Sequence, residues 1–124
     1  MSPLPPRLIF GAAGINTGSG FPTAEQAAVV LDVAENLGIK QLDTAQLYGA
    51  SEEILGKLKA ADRFIIDTKH IGGWVPGQSS RERVVERGLE SLQKLGVDKV
   101  CLLSFFSYNS LELFFPTVWS AKIN

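Results

Sequence analysis

The sequence predicts an α/β fold built on a parallel sheet. Three observations carry that prediction. Short apolar, β-branched runs alternate with amphipathic helical stretches, the connections between them are brief, and two of the helices open on capping boxes.

Taken in order, residues 7–11 (Arg-Leu-Ile-Phe-Gly) read as a first strand ended by Gly11. The stretch 11–22 is rich in Gly, Ser, Thr and Asn and reads as a loop. Thr23 and Gln26 have capping-box spacing and open a helix whose apolar face carries Ala27, Val30, Leu31 and Ala34. Gly38 is its stop. A second strand spans 39–43, and a helix over 51–60 buries Ile54, Leu55 and Leu58, with Glu52 and Glu53 as favourable charges in its first turn. The third strand is 64–68. After a glycine-rich loop, Ser79 and Glu82 form a second capping box for a helix that buries Val85, Leu89 and Leu92 and stops at Gly96. The fourth strand is 99–103, with Cys101 inside it as a small buried apolar residue.

From Ser104 onward the pattern changes. Six of the eleven aromatic residues fall in 104–124 without periodic order, and charge nearly vanishes. Two units are therefore expected, a patterned part over 1–103 and a divergent tail over 104–124. Such a tail exposes an adhesive surface unless something covers it.

Composition narrows the function classes. With 12 Lys and Arg against 13 Asp and Glu, the net charge of -1 offers no broad basic field for nucleic acid or anionic lipid. No apolar run approaches the ~18 residues of a membrane span, and the first six residues lack the pattern of a signal peptide. One cysteine excludes an internal disulfide. The expectation is a soluble, cytoplasmic protein that binds neither nucleic acid nor membrane.

Chemistry is expected where parallel sheets place it, at the carboxyl ends of the strands. Asp43 ends the second strand, Tyr48 follows in its loop, and Lys69 ends the third. If those strands are neighbours, about 4.8 Å apart, the three side chains converge. An ammonium within roughly 4 Å of a phenol stabilises the tyrosinate by on the order of 4 kcal/mol at an effective dielectric near 20. The phenol then gives up its proton more readily, and the carboxylate holds the ammonium in place. A carbonyl receiving hydride needs such a donor as its oxygen becomes an alkoxide.

The segment Leu42-Asp43-Thr44-Ala45-Gln46-Leu47-Tyr48-Gly49, followed by Ser51-Glu52, closely resembles the signature of the aldo-keto reductases. Lys69, in Asp67-Thr68-Lys69, matches that family's lysine in spacing, and Phe10-Gly11 and Gly96-Val97-Asp98 fit as well. The flavour is nearest the aflatoxin-aldehyde-reductase-like branch, which includes enzymes of fungal secondary metabolism. The resemblance covers residues 8–103. It implies part of a (β/α)8 TIM barrel, about four N-terminal β/α units, that binds NADPH and reduces a small-molecule aldehyde or ketone. It implies Tyr48 as proton donor, Lys69 as the group that eases proton release, and Asp43 as the lysine's partner beside the nicotinamide ribose.

Two features depart from that family. Its fourth catalytic residue is a histidine at the end of the fourth strand, where this chain reads Leu102-Leu103-Ser104-Phe105-Phe106-Ser107. The one histidine, His70, reads as a loop residue lining the mouth, with a replacement acid as the alternative. A complete barrel also needs ~250 residues, about twice the 124 present, so the chain is expected to be truncated and inactive alone. Two other readings stand beside the reductase. One is a non-catalytic half-barrel that self-associates or pairs with a partner chain through its open edges. The other is a Rossmann-like nucleotide-binding module built on Gly11, Gly14 and Asp43, which requires those glycines to open a helix directly.

Overall fold

The computed structural model describes residues 6–72 and 76–106, with backbone alone at Ser19 and over 102–106. Four strands form a parallel sheet, β1 (Phe10–Gly11), β4 (Gln41–Asp43), β5 (Ile65–Ile71) and β6 (Leu102–Phe106), in the spatial order β1-β4-β5-β6. Two more, β2 (Ile15–Asn16) and β3 (Ser19–Gly20), pair antiparallel in the loop after β1. Helix α1 (Ala24–Asn36) joins β1 to β4, α2 (Ser51–Lys57) joins β4 to β5, and α3 (Arg81–Leu95) joins β5 to β6. Consecutive parallel strands are thus neighbours, each linked by a helical crossover.

The glycines of 11–14 open no helix. A 3-10 turn, Ala12–Gly14, leads into the β2–β3 hairpin, and α1 starts only at Ala24. The strands also follow one another without the reversal of order that marks a dinucleotide-binding sheet. The Rossmann-like reading therefore falls.

Several expected boundaries move, and pairing explains the strands. β5 runs three residues past the expected Thr68 because two neighbours support different halves of it. β4 pairs with Ile65, Ile66 and Asp67, whereas β6 pairs with Asp67 through Ile71. Such a stagger from strand to strand is what a sheet curving into a barrel requires. Lys69 consequently lies inside β5, not at its end. β6 begins at Leu102, so Cys101 precedes the strand and is exposed, against the expectation of a buried strand residue. Residues 107–124, most of the divergent tail, lie outside the described residues.

The helices follow their capping signals closely. Thr23 Oγ1 accepts from the Gln26 backbone N–H at 3.2 Å, and α1 buries Ala27, Leu31 and Ala34. Helix α2 stops at Lys57, earlier than expected, because Lys59 takes a left-handed conformation (φ 49°) and leads into a separate 3-10 turn, Ala60–Asp62. For α3 the cap is Ser80, which accepts from the Arg83 N–H at 3.3 Å; Ser79 had been expected. Gly96 closes it at φ +68°, the left-handed stop that glycine adopts without a Cβ penalty. Leu92 is buried as expected, but Val85 and Leu89 are exposed. The core lies between sheet and helices and includes Leu31, Leu42, Leu55, Ile66, Leu92 and Leu95.

Candidate active site

The structure brings Asp43, Tyr48 and Lys69 together. Asp43 ends β4 in register with Asp67, and Lys69 lies two residues further along β5 on the same face. The backbone continues the ladder beyond β4, with Thr44 N–H donating to Asp67 O at 2.9 Å and Gln46 N–H to Lys69 O at 3.2 Å. Tyr48 follows in a tight turn, its N–H bonded to Ala45 O at 3.0 Å and its carbonyl to Ser51 N–H at 3.1 Å. This turn swings the phenol back over β5.

Lys69 Nζ is the hub of the site. It donates to Asp43 Oδ2 at 2.6 Å, to the Thr44 carbonyl at 2.9 Å and to the Tyr48 hydroxyl at 3.5 Å. It also lies 5.0 Å from the centre of the Tyr48 ring. An ammonium has three protons to donate, and these three acceptors use them. Because the phenol oxygen accepts from Lys69, its own proton is left to point elsewhere. The Lys69 side chain is 16% exposed and that of Asp43 35%, so the ion pair is sheltered yet reachable from the open end of the sheet.

Supporting contacts come from residues to which the sequence reading gave no catalytic role. Thr44 Oγ1 and Ser51 Oγ are 2.9 Å apart, and Ser51 Oγ reaches the Ala12 carbonyl at 3.1 Å, tying the start of the Tyr48 loop to α2 and to the turn after β1. Glu52, expected as a favourable first-turn charge, keeps that place in α2 but is buried and accepts a 2.6 Å hydrogen bond from Thr68 Oγ1. Its place three residues before the buried Leu55, on one helix face, was the available signal. Asp67 is buried in register with Asp43, and Gln41 donates to its Oδ2. Burial pushes the Asp67 carboxyl above the usual carboxylate range, more than the Gln41 hydrogen bond lowers it.

His70 is corrected. It lies within β5, fully buried, with Nε2 3.1 Å from the Gln78 carbonyl. Neighbouring strand residues face opposite sides, which turns it away from the Lys69 face and from the role of replacement acid. At β6 the residues in register with Lys69, His70 and Ile71 are Ser104, Phe105 and Phe106. Among the described residues no cluster of three His, Cys, Asp or Glu could hold a metal ion, and no helix is long and apolar enough to cross a membrane.

The model of the aldo/keto reductase family matches residues 7–107. The chain belongs to this family. A curated relative, the oxidoreductase sirO of Leptosphaeria maculans, is 35% identical over 104 residues, which cover 77% of this chain and 31% of the relative. Among solved structures, the aldo-keto reductase PA4992 of Pseudomonas aeruginosa is 32% identical with a TM-score of 0.68, over 82% of this chain and 42% of that one. The thermostable aldo-keto reductase Tm1743, solved with the inhibitor epalrestat, is 27% identical with a TM-score of 0.63, over 79% and 37% of the two chains. The chain thus spans about a third of the length of its curated relative. Its four parallel strands and their crossover helices form part of an aldo-keto reductase barrel.

Proposed function

We propose that this chain supplies the acid–base centre of an NADPH-dependent aldo-keto reductase acting on a small aldehyde or ketone. The observation that carries the reading is the placement of Lys69 Nζ between the Asp43 carboxylate and the Tyr48 hydroxyl. Tyr48 donates its outward-pointing proton to the carbonyl oxygen as that oxygen takes on alkoxide character. The Lys69 ammonium stabilises the tyrosinate left behind, and Asp43 with the Thr44 carbonyl keeps the ammonium from swinging away.

The residues fit a nicotinamide cofactor, which when bound supplies the hydride. Asp43 offers a partly exposed carboxylate at the open end of the sheet with one oxygen engaged by Lys69, leaving the other to accept from a ribose hydroxyl. A role in secondary metabolism rests on the branch that the signature resembles, and a cytoplasmic location on the single cysteine and the absence of a signal-peptide pattern in the first six residues.

The test has two steps. The intact mass of the native protein, captured through an N-terminal peptide, establishes which chain to assay. Carbonyl-dependent oxidation of NADPH and of NADH is then followed by absorbance. Tyr48→Phe should lower the rate by at least about a hundredfold, the low end of what general-acid catalysis supplies. Undiminished turnover by that variant refutes Tyr48 as the donor.

A second reading draws on the sheet edges. Among the described residues β1 and β6 each pair on one side only, leaving two open parallel edges. A non-catalytic half-barrel closed by a second chain would use both. Sedimentation of the purified 13.4 kDa chain as a clean monomer would exclude it.

A further inference from the structure

A second carboxyl lies beneath the acid–base centre. Asp67 is in register with Asp43 on the neighbouring strand, and such partners in a parallel pair stand about 4.8 Å apart and face the same side. Lys69 is two residues further along β5 on that face, roughly 7 Å toward the open end of the sheet. One ammonium is thus flanked by two carboxyls, yet it bonds to only one of them. Lys69 Nζ donates to Asp43, to the Thr44 carbonyl and to Tyr48, which uses its three protons.

Gln41 decides that choice. It lies two residues before Asp43 on β4, in register with Ile65, on the side of Asp67 away from Lys69. Its amide donates to Asp67 Oδ2 and draws the buried carboxyl down the sheet. Oδ1 has no nitrogen or oxygen partner among the described residues. The other groups that face Asp67 are the Asp43 carboxylate from β4, the Lys69 ammonium from β5 itself and the Cys101 thiol ahead of β6, a weak donor. Burial opposes ionisation of Asp67 most, the Gln41 hydrogen bond favours it, and the Asp43 charge opposes it again.

We propose that Asp67 and Gln41 are positioning residues of the acid–base centre: Gln41 holds the Asp67 carboxyl away from Lys69, so that the ammonium stays committed to Asp43 and Tyr48. The longest of the three Lys69 bonds, the 3.5 Å one to the Tyr48 hydroxyl, is the one that a released Asp67 carboxylate would take. A negative charge at this place disfavours the tyrosinate and leaves Tyr48 a weaker acid. The consequence for catalysis rests on the reductase reading, whereas the charge arrangement is measurable without turnover.

The full chain is labelled with isotope-enriched tyrosine, the Tyr48 resonance is assigned by its loss in Tyr48→Phe, and its titration is followed by NMR. Asp67→Asn keeps an acceptor for Gln41 and removes the charge, so the Tyr48 midpoint should fall, by on the order of one pH unit at this range. Gln41→Met releases the carboxylate and should raise the midpoint; in the Asp67→Asn background it should change nothing. A midpoint left unmoved or raised by Asp67→Asn overturns the proposal, as does a rise from Gln41→Met that persists in that background. In carbonyl reduction the wild type's rate should decline as Asp67 ionises with rising pH, and Asp67→Asn should lose that step; an unchanged profile overturns the proposal too. The expected Tyr48 shifts without carbonyl turnover in any variant would sink the reductase reading and leave the positioning roles standing.

Discussion

The side-chain carbonyl of Gln46 accepts the Ile71 N–H at 2.9 Å, continuing the sheet's hydrogen bonding two residues beyond Lys69, where β4 has already ended. Its amide reaches the Arg87 carbonyl at 2.7 Å and Ser91 Oγ at 2.8 Å. One side chain thus joins the Tyr48 loop, the end of β5 and the middle of α3.

Gln46→Ala removes all three bonds and leaves the half-buried Ile71 N–H without its acceptor. A lost partner of this kind costs about 1–3 kcal/mol, which urea denaturation should register as a lower midpoint at unchanged slope. Gln46→Glu keeps an acceptor for Ile71 but cannot donate to Arg87 and Ser91, so it should fall between the two. A midpoint equal to the wild type's for Gln46→Ala would show that water replaces the side chain at no cost.

Gly56 lies where α2 meets α3, and a Cβ there would overlap the Lys94 backbone carbonyl. Gly56→Ala should therefore destabilise by about 1–3 kcal/mol through overpacking, despite alanine's better helix propensity. Each kcal/mol lowers the melting temperature by roughly 4–8 °C in a domain of this size. Lys57→Ala, at the exposed next position, should change stability by less than about 0.5 kcal/mol. Equal melting temperatures for Gly56→Ala and the wild type would show that α2 and α3 separate freely.

Burial raises the Asp67 carboxyl above its ordinary value, so the folded protein holds that proton more tightly than the unfolded chain does. Its contribution to stability is full below the unfolded value of 3.8 and is lost as pH rises through the raised folded value. Asp67→Asn keeps an acceptor for Gln41 and cannot ionise. It should be more stable than the wild type at pH 7, with the advantage disappearing near pH 3. Denaturation midpoints at the two pH values measure this; an advantage that grows toward acid would reverse the assignment.

Much of the chain's organisation was legible because it is local. Apolar spacing, the Thr23 cap and the Gly96 stop are set by a few neighbouring residues, and each reappears in the structure. The trio Asp43, Tyr48 and Lys69 was legible because a parallel sheet gathers its strand ends. Less visible were features set by partners distant in sequence. Glu52 is buried because Thr68, 16 positions away, meets it, and His70 is internal because β5 extends to pair with β6. Cys101 is exposed for the converse reason, since the strand begins at Leu102, three residues later than expected.

By itself the sequence determined the β/α alternation, the order of the elements and the membership of the Asp43, Tyr48 and Lys69 cluster, because periodicity and short motifs encode those in adjacent positions. Only the tertiary structure decided the register of β5 between its two neighbours, the three-way bonding of Lys69 and the bridge from Gln46 to α3. Those depend on contacts across 21 to 45 positions of chain, where what a side chain meets is set by how strands and helices pack and no longer by its own neighbours.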